Sequence, residues 1–160
     1  MIPTYEAAPD MLAEIAPLAQ QYKAADVAQD PGRRDSVRAA YLAALLRFLA
    51  SGWVGAVGEE HELPDTVMPH DYLAARAQIL DRLENELGRL AIEYRSALTP
   101  QLMAAAVAAY HAVFDEMSRI GHWSGVPDPD SQLPLDDMPP LFKAQRAERI
   151  RRFRARQAAP

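Results

Sequence analysis

The sequence predicts an all-α protein: a bundle of about four main helices, then a Pro-rich linker and a basic C-terminal helix. Three observations predict it. Apolar residues recur at steps of three and four in five separate segments. Helix-boundary residues flank several of them, most clearly Thr99-Pro100 at a start and Gly121 at an end. No stretch shows the period-two alternation of a half-buried strand. A chain of 160 residues, 49% of them hydrophobic, is long and apolar enough to bury a core.

The first helix is expected over Asp10–Ala28, capped by Asp10, with Met11, Ile15, Leu18 and Tyr22 on one face. Pro17 falls inside it and predicts a kink or a break. Asp30-Pro31-Gly32 reads as a turn. The second helix, over Arg34–Ser51, carries a stripe of Val37, Ala40, Tyr41, Ala44 and Phe48. Leu42, Leu46 and Leu49 lie outside that stripe, the pattern of a central helix with neighbours all round. The Gly-punctuated stretch that follows, to Met68, reads as a long loop.

The third helix spans His70–Ser96 on the face of Leu73, Ala77, Leu80, Leu87 and Ala91. The fourth begins at Pro100 and presents Met103, Val107, Tyr110, Phe114 and Met117; its short connection to the third predicts an antiparallel hairpin. Residues 126–140, rich in Pro and Asp, read as an extended surface linker between a helical domain (1–125) and a basic helical arm (141–160). No internal repeat is evident.

Charge divides the chain unevenly. Leu141–Pro160 carries seven basic residues and one acid, a net +6, so the first 140 residues carry −11 of the total −5. An acidic body with a basic arm points to an acidic partner for the arm: a protein, nucleic acid, or the body itself. Ala39–Val57 is apolar apart from Arg47, whose position near its middle argues for a buried helix rather than a membrane span. The absence of cysteine excludes disulfides and thiolate chemistry and fits a cytoplasmic protein; the excess of arginine over lysine fits a GC-rich bacterial or phage genome.

The candidate sites are few. His111, Asp115, Ser118 and His122 recur at helical spacing, and Glu84 falls inside the apolar stripe of the third helix. Together they define one reading, a metal-dependent hydrolase using Glu84, His111, Asp115 and His122. Glu84 is otherwise expected to pair with an arginine such as Arg76. Glu59, Glu60 and Glu62 form an acidic loop suited to a basic partner, and Trp53 and Trp123 are core residues or interface anchors. Arg146, Arg149, Arg151, Arg152, Arg154 and Arg156 supply the basic surface and define another reading, a nucleic-acid-binding accessory protein. No phosphate loop, nucleophile elbow or zinc spacing is present, and no cofactor or metal is expected. The favoured expectation is a non-catalytic protein-interaction module, such as an immunity protein, antitoxin or small adaptor, with a homo-oligomer formed through the arm as one form of partnership.

Overall fold

The computed structural model describes residues 9–53, 55–120 and 126–159. Among these the protein is all-α, with five α-helices and no strand: α1 (Pro9–Val27), α2 (Pro31–Ala50), α3 (His70–Ser96), α4 (Pro100–Ile120) and α5 (Pro140–Ala158). No described helix is long and apolar enough to cross a membrane. The apolar segment over Ala39–Val57 is not one helix, because α2 ends at Ala50 and Gly52 adopts a φ of 96°. That left-handed conformation is one a side chain would resist.

The chain forms two compact units, Met1–Leu80 and Asp81–Pro160, with the boundary within α3. In the first unit α1 packs on α2, and both bury small or aromatic residues: Ile15, Ala19 and Tyr22 from one, Tyr41, Ala44 and Leu45 from the other. Pro17 does not break α1 into two helices. It is exposed, as is Ala13, whose carbonyl loses the Pro17 N–H as donor and is left open to water. Asp30-Pro31 is a helix start rather than a free turn: the Asp30 carboxylate accepts from the Arg33 N–H at 3.0 Å, and Pro31 opens the helix where no N–H is required. Leu46 is exposed, so α2 buries one face and is not surrounded.

The second unit repeats the first. In each, a Pro-initiated helix (α2, α4) follows a short capped connection. A segment with two 3₁₀ turns comes next (59–61 and 65–67; 129–131 and 135–137), and another helix closes the unit (the start of α3; α5). Thr99 Oγ accepts from the Leu102 N–H at 3.1 Å as Asp30 does from Arg33. The backbone bonds of the 3₁₀ turns match: Val67 to Pro64 and Asp137 to Pro134, both 2.9 Å. Leu63-Pro64 and Met68-Pro69 in the first unit stand where Leu133-Pro134 and Met138-Pro139 stand in the second. The leucines and methionines are buried in both.

A further sequence expectation is corrected here. Residues 126–140 are not an extended surface linker, because Pro127, Leu133, Met138 and Pro139 are buried and the two turns fold them. The basic segment is a helix as expected, and its start packs inward: Phe142 joins the core cluster of Leu87, Leu90, Tyr110, Phe114, Met117 and Met138. The rings of Phe142 and Phe114 meet edge to face, 6.1 Å apart. Gly88 of α3 lies against the second unit's turn segment, and a Cβ built there would come within 3.1 Å of Ser131 Oγ.

The matched caps make a measurable pair. Asp30→Ala and Thr99→Ala should each lower the free energy of unfolding by about 1 kcal/mol in urea denaturation. Gly88→Leu should cost about 1–3 kcal/mol, because its side chain would crowd Ser131, which a Cβ already approaches within 3.1 Å.

Candidate functional site

The first unit holds a buried polar cluster. Glu62 and Arg76 are 4% and 7% exposed, and their side chains form an ion pair. The other Glu62 oxygen accepts from the Tyr72 hydroxyl, which in turn accepts from the Val57 N–H at 3.2 Å. Asp65, on the second 3₁₀ turn, closes the far side of the guanidinium at 3.2 Å. The arginine is thus held between two carboxylates spaced three residues apart in Glu62-Leu63-Pro64-Asp65. Trp53 packs on Tyr72 with ring centroids 6.0 Å apart, and its buried indole N–H has no hydrogen-bond partner.

Glu62 therefore does not belong to a solvated acidic loop, as its composition suggests. Burying a carboxylate demands a charge partner and hydrogen bonds, and Arg76 and Tyr72 supply them. Glu59 and Glu60 do remain exposed. Glu60 faces His61 Nε2 at 3.2 Å, and its backbone carbonyl accepts from Lys23 Nζ at 2.7 Å. Trp53 is a core residue here. Trp123 and His122 lie outside the described residues.

In the second unit the same positions carry different chemistry. Phe142 replaces Tyr72, Gln132 replaces Glu62 and Leu135 replaces Asp65, while Arg146 remains where Arg76 stands. Gln132 turns its amide to the Pro127 carbonyl at 2.8 Å. Arg146 is exposed and makes no hydrogen bond or ion pair among the described residues. It lines an open cavity of about 520 Å³ with Leu135, Ala147 and Ile150 as apolar wall and Lys143, Arg151 and Arg154 as further basic groups. Asp136 completes the lining, and Lys143 Nζ donates to its backbone carbonyl at 3.1 Å. Arg151 and Arg152 both pair with Glu148, at 2.7 Å each, which holds its carboxyl well below the usual range, at about 2. Arg154 and Arg156 are exposed on α5; Arg149 is exposed on the same helix.

The residues of the hydrolase reading do not assemble. His111 Nε2 lies 2.8 Å from the Asp137 carbonyl oxygen, while the Tyr94 hydroxyl donates to the Asp137 carboxylate at 2.5 Å. Asp115 is exposed, and Ser118 returns its hydroxyl to the Phe114 carbonyl of its own helix. Glu84 is half-buried, and Arg76, its expected partner, is engaged by Glu62 and Asp65. Among the described residues no three His, Asp or Glu side chains are grouped to hold a metal. His111 instead borders a second cavity of about 480 Å³ with Tyr94, Pro100, Met103 and Val107.

Sequence reasoning missed both the buried cluster and the cavity, for one reason. The signal that singles out these residues is the pair of Leu-Pro-x-x-x-Met-Pro copies, whose alignment places Arg76 over Arg146 and Glu62 over Gln132. Comparison with family models, curated proteins and solved structures found no match, so the functional reading rests on geometry and chemistry.

Two outcomes test this description. Arg76→Met should destabilise the protein by about 3–5 kcal/mol in urea denaturation, because it leaves Glu62 buried without its counter-charge. Adding Glu62→Gln to that variant should recover much of the loss. The second concerns alkaline pH. Burial pushes the pKa of Tyr41, Tyr72 and Tyr110 above the usual phenol range, and the Glu62 charge adds to the effect at Tyr41 and Tyr72. Below about pH 10 these tyrosines are neutral in folded and unfolded chains alike. Above it the unfolded chain releases protons that the folded chain retains, so stability should fall as pH rises. A spectrophotometric titration should show these phenols ionising only as the protein unfolds.

Proposed function

We propose that the protein is a non-catalytic protein-binding module whose second unit receives its partner in the cavity between α5 and the preceding 3₁₀ turn. The observation that carries this reading is the lining of that cavity: Leu135, Ala147 and Ile150 beside Lys143, Arg146 and Arg154. A protein segment can satisfy both kinds of wall at once, burying apolar side chains while meeting the charges. The duplicated unit supports the same reading. Repeated helical units supply a backbone frame on which surface residues can vary while the core is retained. Here the second copy keeps its buried leucine and methionine and changes the residues around its arginine.

Neither competing reading has comparable support. The hydrolase reading needs Glu84, His111 and Asp115 in one place, and His111 is engaged with the 3₁₀ turn. The nucleic-acid reading needs an extended basic surface. Along α5 Glu148 neutralises part of the arginine series, and the rest of the chain would repel a polyanion.

A photoreactive residue at Ala147 should give a light-dependent protein adduct in the native host, and the adduct should be lost when Ile150→Glu is added. The same residue at Ala39, exposed on α2, should give none. Equal labelling at both positions, or an adduct to RNA at Ala147, would overturn the reading.

A further inference from the structure

We propose that Arg146 is the anchor for a pair of carboxylates supplied by an acidic, leucine-rich segment of the partner, in the place that Glu62 and Asp65 occupy around Arg76 in the first unit. The inference rests on the protein-binding reading and specifies the partner's chemistry.

The two units supply the geometry. Arg76 and Arg146 occupy the seventh residue of equivalent helices, α3 from His70 and α5 from Pro140. Two positions earlier in each unit's turn segment decide whether the arginine is closed or open. In the first they are Glu62 and Asp65, and the guanidinium is bound on both sides. In the second they are Gln132 and Leu135. Gln132 is turned to Pro127, and Leu135 is 45% exposed on the cavity wall. A guanidinium presents a planar fork of donors that matches carboxylates. The first unit shows that this backbone can place two carboxylates on such a fork.

The wall selects among anions. Leu135, Ala147 and Ile150 require an apolar complement, which a peptide provides with leucine or a similar side chain next to its acids. A nucleic-acid backbone would bring a regular row of phosphates. It would meet Asp136 in the cavity and Glu148 beside it, in a chain whose first 140 residues carry −11 of the total −5. A short acidic-apolar peptide needs only the local basic cluster of Lys143, Arg146 and Arg154.

The test uses the full chain and a fluorescein-labelled dodecapeptide of paired glutamates and leucines. Controls are the same peptide with every Glu replaced by Gln, and a single-stranded RNA of similar length. Anisotropy at low salt should show binding of the acidic peptide and none of the Gln peptide. Arg146→Gln should weaken binding about tenfold or more, equivalent to about 1.4 kcal/mol. Arg33→Gln on α2 should leave it unchanged. The informative variant is Gln132→Glu with Leu135→Asp, which builds the first unit's carboxylates into the second. It should retain helical content by circular dichroism and lose peptide binding as Arg146→Gln does. Failure of the acidic peptide to bind, equal binding of the Gln peptide, insensitivity to both variants, or preference for RNA would overturn the proposal. Protein crosslinking at Ala147 that persists alongside any of the first three results would leave the protein-binding reading standing and remove the carboxylate anchor.

Discussion

The fold depends on how a non-helical segment is held against a pair of helices. Between α2 and α3, and again between α4 and α5, the chain must bury leucine and methionine without a helix or sheet to satisfy its backbone. Buried peptide groups left without partners are costly, so the local structure has to supply them. Two 3₁₀ turns satisfy part of the backbone internally. One tyrosine in each unit then ties the segment down: the Tyr41 hydroxyl donates to the His61 carbonyl at 2.6 Å and the Tyr110 hydroxyl to the Ser131 carbonyl at 2.7 Å. Each accepting residue closes the first of its two turns. The phenol rings are fully buried, so the same side chain contributes apolar packing and removes an otherwise open backbone acceptor.

On that shared frame the units solve the problem of the neighbouring helix in opposite ways. The first places Glu62, Tyr72 and Arg76 inside, where each polar group needs the others. Ion pairs of this kind add little net stability relative to apolar packing of the same volume, because both charges are removed from water. The second unit packs Phe142 against Phe114 instead, and the Leu133 N–H is met by the Met138 sulfur at 3.3 Å. Removing the acids while keeping the arginine changes the character of the surface. Arg76 is part of the interior, and Arg146 is a charge facing open space.

The helices were legible in the sequence because their signals are local. Thr99-Pro100 fixed the start of α4, and the limits of α3 follow from its apolar stripe. Pro17 and Pro31 were misleading because a proline's effect depends on context: Pro17 lies on an exposed face that tolerates a missing hydrogen bond, and Pro31 sits behind an Asp cap. The repeat was hidden by divergence and by one extra residue between Gly121 and Trp123 relative to Gly52-Trp53. Aligning the Tyr-bearing helices therefore misaligns the turn segments. Without the repeat, Glu62 cannot be told from Glu59 and Glu60, since all three occur in one run of acids. Burial of Glu62 is a tertiary fact, set by Arg76 fourteen positions later on another element.

The repeat also separates the arginines of α5, which composition alone treats as one group. Beyond its midpoint α3 enters the second unit and buries Leu87, Leu90 and Ala91. The corresponding stretch of α5 does not continue in that way: Gln157 stands where α3 has Leu87, and residues 151–159 are all exposed. Phe153, at the place of Leu83, is 61% exposed. This half of α5 offers no continuous apolar stripe on which another helix could pack. Its exposed arginines keep that face polar and solvated. Arg146 answers to a different constraint. It lies on the half of α5 that contributes Phe142 to the core, at a position where the other copy encloses an arginine between acids. Polarity alone would be served by any charged residue there; an arginine set beside Leu135 and Ile150, without the carboxylates that enclose its counterpart, presents its planar fork of donors to the cavity.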